Sequence, residues 1–333
     1  MMCGDGNTMT FTLDEIRRAH EVVLRALKPT AAICWPLLAE RLEAEVVVKH
    51  ENHQPTGAFK VRGGLTYVDA LMKRDPEARG LISATRGNHG QSLAFAARRA
   101  GLAAMILAPH GNSTEKNAAM RALGAEVVEF GRDFQAAREE AMRIAEERGL
   151  HLVPSFHRDL ALGVSTYALE LLSERPDLDV LYVPIGQGSG ICGCITARDA
   201  LGARTEIVGV QSAEAPAYAL SFAAGHVVPT NSADTFADGM ATRVPDEEAL
   251  AVILKGAARI VLVSDDEIAA AVRVYWTDTH NLAEGAGAAA LAAAIKERAR
   301  LKGRKVGLVL SGGNIDFDLF QRWVLPAPNA AAA

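Results

Sequence analysis

The chain has 333 residues, 49% hydrophobic and 23% charged, with 35 basic and 40 acidic side chains for a net charge of −5. That length suits two domains, or one large α/β domain with an insertion, and it can bury a substantial core. The slightly acidic balance, the lack of a basic block and an aromatic content of 5% argue against a nucleic-acid partner.

The start, "MMCGDGNTMT", has no basic segment followed by an apolar run, so secretion is not expected. "TLDEIRRAHEVVLRAL" (12–27) is patterned as an amphipathic helix, with Thr12 as cap and Glu15 completing a capping box. "AEVVVKHE" (44–51) and "GLISAT" (80–85) are expected strands. Helix, strand, helix, strand, helix and strand are then expected at 88–101, 102–109, 113–124, 125–130, 134–149 and 150–154, the middle helix capped by Ser113 or Thr114. The alternation resumes with a helix at 161–176, a strand at 179–186, a helix to about 200 and a strand at 205–212. Helices at 264–279 and 284–303 and a strand at 305–313 complete the pattern, and the tail 326–333 is expected to be disordered. No stretch reaches 18 apolar residues without charge, so no membrane span is expected and the cytoplasm is the default location.

Repeated strand–helix–strand units imply an α/β fold of two lobes, with mostly parallel twisted sheets flanked by helices. Residues 1–79 and 158–325 are expected to form the larger lobe, and 80–157 the smaller one. Such sheets bind ligands at the carboxyl ends of their strands, which directs attention to the strand–loop–helix junctions.

Four junctions stand out. "PTGAFKVRGG" (55–64) sets Lys60 among apolar and glycine neighbours; "SATRGNHGQS" (83–92) and "PIGQGSGICG" (184–193) lead from strand to helix; "LSGGN" (310–314) ends the last strand. Gly186, Gly188 and Gly190 let successive N–H groups converge at a helix start, which suits a phosphate. Gly188, Gly190 and Gly193 also read as GxGxxG, but the following strand ends in Gln211 and Ser212, without the acid a dinucleotide ribose needs. Cys3, Cys34, Cys192 and Cys194 show no paired spacing, so neither a disulfide framework nor a zinc site is expected. An amine for a Schiff base, a phosphate nest and a polar strand end together are what pyridoxal 5'-phosphate requires.

With these motifs in order, the chain resembles the fold-type II pyridoxal-phosphate enzymes of tryptophan synthase β-like architecture, and among them the threonine/serine dehydratases. "GAFKVRGG", "RGNHGQS", "PIGQGSGICG", "FADGMA" (236–241), "EGAGAAALAA" (284–293) and "LSGGN" carry the resemblance over residues 50 to 315. It implies that Lys60 carries the cofactor and moves the Cα proton. It further implies that Phe59 packs by the ring, Asn88 meets the ring hydroxyl, and Gly186, Gln187, Gly188, Ser189 and Gly190 cradle the phosphate. Ser311 would meet the pyridine nitrogen, and Gly239 would lie close to the ring. Thr85, Arg86, Gly87, Asn88 and His89 would receive the substrate carboxylate at a helix N-terminus. His89 is read as a substrate contact or a helix-start residue, and Glu284 as a site residue or a helix cap. The implied reaction is β-elimination of a β-hydroxy-α-amino acid to a 2-oxo acid and ammonia. The family implies a homodimer.

Three departures from the family pattern matter. Gln187 and Ser189 replace glycines of the phosphate loop. Arg86 replaces a small residue; an arginine does not readily give up its proton, which argues against a racemase. Gln211, Ala215 and Ala217 replace the acids of the family's divalent-cation site, so no activating metal is expected. Arg86 is open to several readings: a carboxylate partner, a lid over the cofactor, a contact for a large side chain, or a solvated surface residue. The third points to a substrate bulkier than serine, such as phenylserine; the detail of the loops also resembles the dehydratase of hydroxyectoine utilisation. Threonine or serine is the family default, and β-replacement is a further alternative. The chain ends soon after "SGGN", so no regulatory domain is expected.

Overall fold

A computed structural model describes residues 9–325. The tail 326–333 and Cys3 lie outside these residues. In chain order the elements are α1 (Leu13–Leu24), β1 (Ala32–Cys34), α2 (Pro36–Leu42), β2 (Glu45–His50), α3 (Lys60–Arg74), β3 (Gly80–Ala84), α4 (Asn88–Ala100), β4 (Ala103–Ala108), α5 (Thr114–Ala122), β5 (Glu126–Glu129), α6 (Phe134–Arg148) and β6 (His151–Leu152). There follow α7 (Arg158–Glu174), β7 (Val180–Pro184), α8 (Ser189–Leu201), β8 (Glu206–Ser212), α9 (Ala217–Ala224), α10 (Glu247–Gly256), β9 (Ala257–Val263), α11 (Asp265–Thr279), α12 (Gly285–Lys296), α13 (Arg298–Leu301), β10 (Lys305–Leu310) and α14 (Phe317–Trp323).

The strands form two sheets. One has six strands in the order β1-β2-β10-β7-β8-β9, the other four in the order β5-β4-β3-β6. All pairings are parallel except β1 with β2. Alternate residues of each strand serve opposite faces. Val46 and Val48 of β2 join a core with α11 and α12, while Val47 joins one with α7 and α8. The smaller sheet divides likewise: Leu81 and Ile106 pack against α3 and α4, and Ile82 and Leu107 against α6. In α12, residues 285–294 are all buried, as expected of a helix that is apolar all round.

The expected strands and helices are present, and the Thr12–Glu15 capping box forms with both of its hydrogen bonds. Ser113, not Thr114, caps α5, accepting from the Lys116 N–H at 2.9 Å. The segment expected as one helix over 284–303 breaks near Glu297 into α12 and α13. The pattern gave no warning of β1, α2, α3, α9, α10, β9 or α14. α3 is the informative case, because Gly63 and Gly64 lower its intrinsic helix propensity. A Cβ on Gly63 would lie 2.7 Å from the Leu160 carbonyl oxygen, and one on Gly64 2.7 Å from that of Ser92. The glycines let α3 lie against α7 and α4, so tertiary packing outweighs propensity.

Candidate active site

The junctions singled out in the sequence converge at the carboxyl ends of β2, β3, β7 and β10. Backbone hydrogen bonds lace the Lys60 segment to the last strand end: Phe59 N–H donates to Ser311 O at 3.0 Å and Gly313 N–H to Gly57 O at 2.9 Å. Asn314 Nδ2 adds bonds to Thr56 O and Asn88 Oδ1, both at 2.8 Å. One residue thus ties three of the junctions together.

Lys60 opens α3 and is half-buried, its amine lying 5.0 Å from the Phe59 ring centre and donating to Ser189 Oγ at 3.0 Å. Burial pushes the amine down to about 8. Among the described residues no carboxylate is hydrogen-bonded to it, and an amine near neutrality is suited to nucleophilic and base chemistry. Phe59 meets Tyr167 edge to face at 6.0 Å. Ser92 Oγ donates to Lys60 O at 2.6 Å, fixing the backbone at the helix start.

The glycine loop 186–190 leads from β7 into α8. Gly188 has φ +101°, a conformation L side chains rarely adopt, and a Cβ there would lie 2.7 Å from Ala249 Cβ. Gly186 is closed against the carbonyl oxygen of Gly239, which a Cβ would strike. The Gln187 carbonyl accepts from Tyr218 Oη at 3.0 Å and the Gly190 carbonyl from Tyr167 Oη at 3.2 Å. These two loop carbonyls are thereby occupied from the protein side, and the N-terminal N–H groups of a 13-residue helix stand at the cleft. Gly193 serves packing: a Cβ there would lie 2.9 Å from Ser165 N.

The 85–89 loop leads from β3 into α4. Thr85 and Gly87 are buried, and Gly87 N–H donates to Thr85 Oγ1 at 3.2 Å. Asn88 is held from both ends, its Nδ2 donating to Glu284 Oε1 at 2.8 Å and its Oδ1 accepting from Asn314. His89 is buried, with Nε2 unpartnered among the described residues; burial pushes its ring down to about 3, and the nearby Lys60 adds to this, so it stands as neutral imidazole. Glu284 stands at the N-cap position of α12, but its side chain makes no capping hydrogen bond. Its side chain turns to Asn88, and burial pushes the carboxyl up to about 7. Arg86 is exposed and forms no side-chain hydrogen bond or ion pair among the described residues, so its placement lends nothing to a contact with a bulky substrate.

Structure adds residues the sequence reading left aside. Arg62, within the same motif as Lys60, is fully buried and bonds Glu51, Glu170 and Thr166. Its place after Lys60 in an otherwise apolar and glycine-rich run was the available signal. Lys116 reaches Asp238 Oδ2 at 2.6 Å, although Asp238 sits beside Gly239 in a motif already singled out. Gln211 is buried at the end of β8, its Oε1 accepting from Ala219 N–H at 2.8 Å. Cys192 and Cys194 are buried packing residues on α8 whose thiols burial pushes up.

These residues fit pyridoxal phosphate. The donor set is a lysine amine of lowered basicity, a helix N-terminus with a cradle that a Cβ at Gly186 or Gly188 would fill, and a strand-end hydroxyl. That hydroxyl, Ser311 Oγ, has no hydrogen-bond partner among the described residues.

Comparison with known proteins agrees. The family model for "Pyridoxal-phosphate dependent enzyme" matches residues 23–312. The chain is 33% identical over 312 residues to the L-threonine ammonia-lyase of Thermotoga maritima, covering 93% of this chain and 77% of the relative. It is 31% identical over 306 residues to the L-threo-3-hydroxyaspartate ammonia-lyase of Saccharomyces cerevisiae, covering 92% and 94%. Among solved structures, the processed form of threonine deaminase isoform 2 from Solanum lycopersicum superimposes with a TM-score of 0.86 at 30% identity, covering 95% of this chain and 94% of that one. A lysine, a glycine loop at a helix start and a strand-end serine on one cleft, with a family match over residues 23–312, make this protein a member of the pyridoxal-phosphate dependent enzymes.

Proposed function

We propose that the chain catalyses β-elimination of a β-hydroxy-α-amino acid, giving a 2-oxo acid and ammonia, as a cytoplasmic homodimer. The observation that carries this reading is the Lys60 amine, set between the Phe59 ring and Ser189 Oγ with its basicity lowered by burial. When bound, pyridoxal phosphate supplies an electron sink for the pair released at Cα. Lys60 Nζ takes the Cα proton and holds it within the cleft. The α8 N-terminus and the 186–190 loop bind the phosphate. Ser311 Oγ would meet the pyridine nitrogen, and Asn88 the ring hydroxyl. The N–H groups at the start of α4 orient the substrate carboxylate, with Thr85, Gly87 and His89 shaping that pocket. Loss of the Cα proton and the β-hydroxyl releases water, and the resulting enamine hydrolyses to the oxo acid and ammonia.

The relatives are named for L-threonine and L-threo-3-hydroxyaspartate, which supports a substrate of that size over phenylserine or a hydroxyectoine-derived amino acid. The relative named for L-threo-3-hydroxyaspartate makes that amino acid the second reading. The test is turnover of serine, threonine, phenylserine and 3-hydroxyaspartate by the intact enzyme and by Lys60→Ala. Oxo acid from threonine or hydroxyaspartate is expected, with the variant losing both turnover and the near-visible absorbance of the lysine-bound cofactor. A Lys60→Ala protein that keeps both refutes the reading.

A further inference from the structure

We infer that Lys116 is a positioning residue of this site, keeping the carboxylate-binding loop and the Glu284–Asn88 pair in register. The inference rests on the functional reading above. Lys116 lies on the first turn of α5, on the smaller sheet's side, and is 6% exposed. Its amine reaches across the cleft to two segments of the larger sheet's side, 2.6 Å from Asp238 Oδ2 and 3.7 Å from Glu284 Oε2. A lysine so buried requires compensating anions. Its stem supports the loop: a Cβ on Gly87 would collide with the Lys116 methylenes, lying 3.2 Å from Cγ. Gly87 and Asn88 are adjacent, so stem and amine act on neighbouring points of one turn.

Glu284 completes the chain of contacts. Its Oε1 accepts from Asn88 Nδ2 at 2.8 Å, while Oε2 is buried without a hydrogen-bond partner among the described residues. The charged groups facing it are Lys116 and Asp238, with Asp316 beyond Lys116. Burial raises the carboxyl, Lys116 opposes that rise and Asp238 adds to it. The start of α5 is anchored twice more, by Ser113 Oγ donating to Asp316 Oδ1 and by Phe317 N–H donating to Glu115 Oε1 at 2.8 Å. Ser113, Glu115 and Lys116 thus seat α5 on the larger sheet's side, and Lys116 transmits that seat to Gly87, Asn88 and Glu284.

The test uses enzyme loaded with pyridoxal phosphate. Absorbance of the bound cofactor is titrated against pH, and kcat and KM are measured for L-threonine or whichever panel amino acid is turned over. A step that disappears in Glu284→Gln identifies the carboxyl. Lys116→Met leaves Asp238 facing Glu284, so that step moves to higher pH. Asp238→Asn leaves Lys116 to Glu284 alone, so it moves to lower pH. A packing role has no reason to give opposite signs. In Lys116→Met, kcat/KM falls on the order of 100-fold, mainly through KM, as for a misplaced binding loop. Lys116→Arg, which keeps the charge, recovers most of that loss. If Lys116→Met does not fold, Asp238→Asn and Lys116→Arg carry the same test. Absence of a Glu284-dependent step, equal titrations in all variants, or shifts of the same sign in Lys116→Met and Asp238→Asn overturn the inference. An enzyme that binds the cofactor but turns over no panel amino acid refutes the functional reading instead, and the absorbance titrations still decide Lys116.

Discussion

Replacing Arg62 by Met tests what holds the lysine segment in place. All five guanidinium N–H groups are used: bonds of 2.8 and 2.9 Å to Glu51, 2.7 and 2.9 Å to Glu170, and 3.0 Å to Thr166 Oγ1. Without Arg62, Glu170 keeps Lys49 at 2.6 Å and His20 at 3.1 Å. Among the described residues the fully buried Glu51 then keeps no cation, and Thr30 Oγ1 at 2.6 Å is its one short hydrogen bond. Removing one member of a buried ion pair costs about 3–5 kcal/mol. Set against a typical total of about 5–15 kcal/mol, that loss brings the chain near its stability limit.

The sign with pH follows from the same groups. In the native chain burial pushes the Glu170 carboxyl up, but bonds from His20 and Arg62 and the charges of Arg62 and Lys49 outweigh it, leaving it well below the usual range. That stabilisation is present above the unfolded value and is lost as pH falls towards the folded one. In the variant Glu170 loses the bonds and the charge of Arg62, and with them part of that stabilisation. The deficit is therefore full above the usual carboxylate range and narrows as the solution is acidified. Urea unfolding followed by tryptophan fluorescence at two pH values measures both. Arg62→Lys should not restore the native midpoint, because an ammonium cannot bridge two carboxylates as a fork. A loss below about 1 kcal/mol, the range of an exposed pair, or a deficit independent of pH refutes the reasoning.

Covalent loading of cofactor-free protein with pyridoxal phosphate needs the neutral Lys60 amine, so its rate should rise with pH through about 8; a flat profile around that value refutes the lowered basicity. Gly188→Ala imposes φ +101° on a side chain and places its Cβ 2.7 Å from Ala249 Cβ, which should cost about 1–3 kcal/mol and weaken cofactor binding; an unchanged Kd from fluorescence titration refutes the cradle. Gly64→Ala pushes a methyl group onto Ser92, whose Oγ donates to Lys60 O at 2.6 Å, and should lower stability by about 1–3 kcal/mol in urea unfolding together with cofactor content; normal values for both refute the close packing of α3.

Much of the fold was legible because regular alternation survives where secondary structure and packing agree. Strands such as Gly80–Ala84 and helices such as Asn88–Ala100 have an apolar pattern, a turn and, in the helix, a terminating Gly101 in one run. α3 was hidden because its glycines serve neighbouring helices. β9 was hidden because it follows α10 directly and is paired along only one edge, with β8. Glu284 could be read as a cap from its position before a helix, but only the fold shows its carboxyl turned to Asn88. Arg86 drew attention by its chemistry, yet lies on the exposed side of its loop.

The amino-acid sequence alone determined the alternating α/β order, the lysine, the glycine loop and the strand-end serine, because each is local: a period, a turn, a residue type beside its neighbours. Which groups hold those residues in place was decided only by the tertiary structure. Glu170 lies 108 residues from Arg62 in the chain yet joins it and Glu51 in one buried cluster, while Lys116, Asp238 and Glu284 meet across the cleft. The physical reason is that a buried charge is stable only beside its partners, and packing of α3, α5, α7 and α12, not spacing along the chain, brings those partners together.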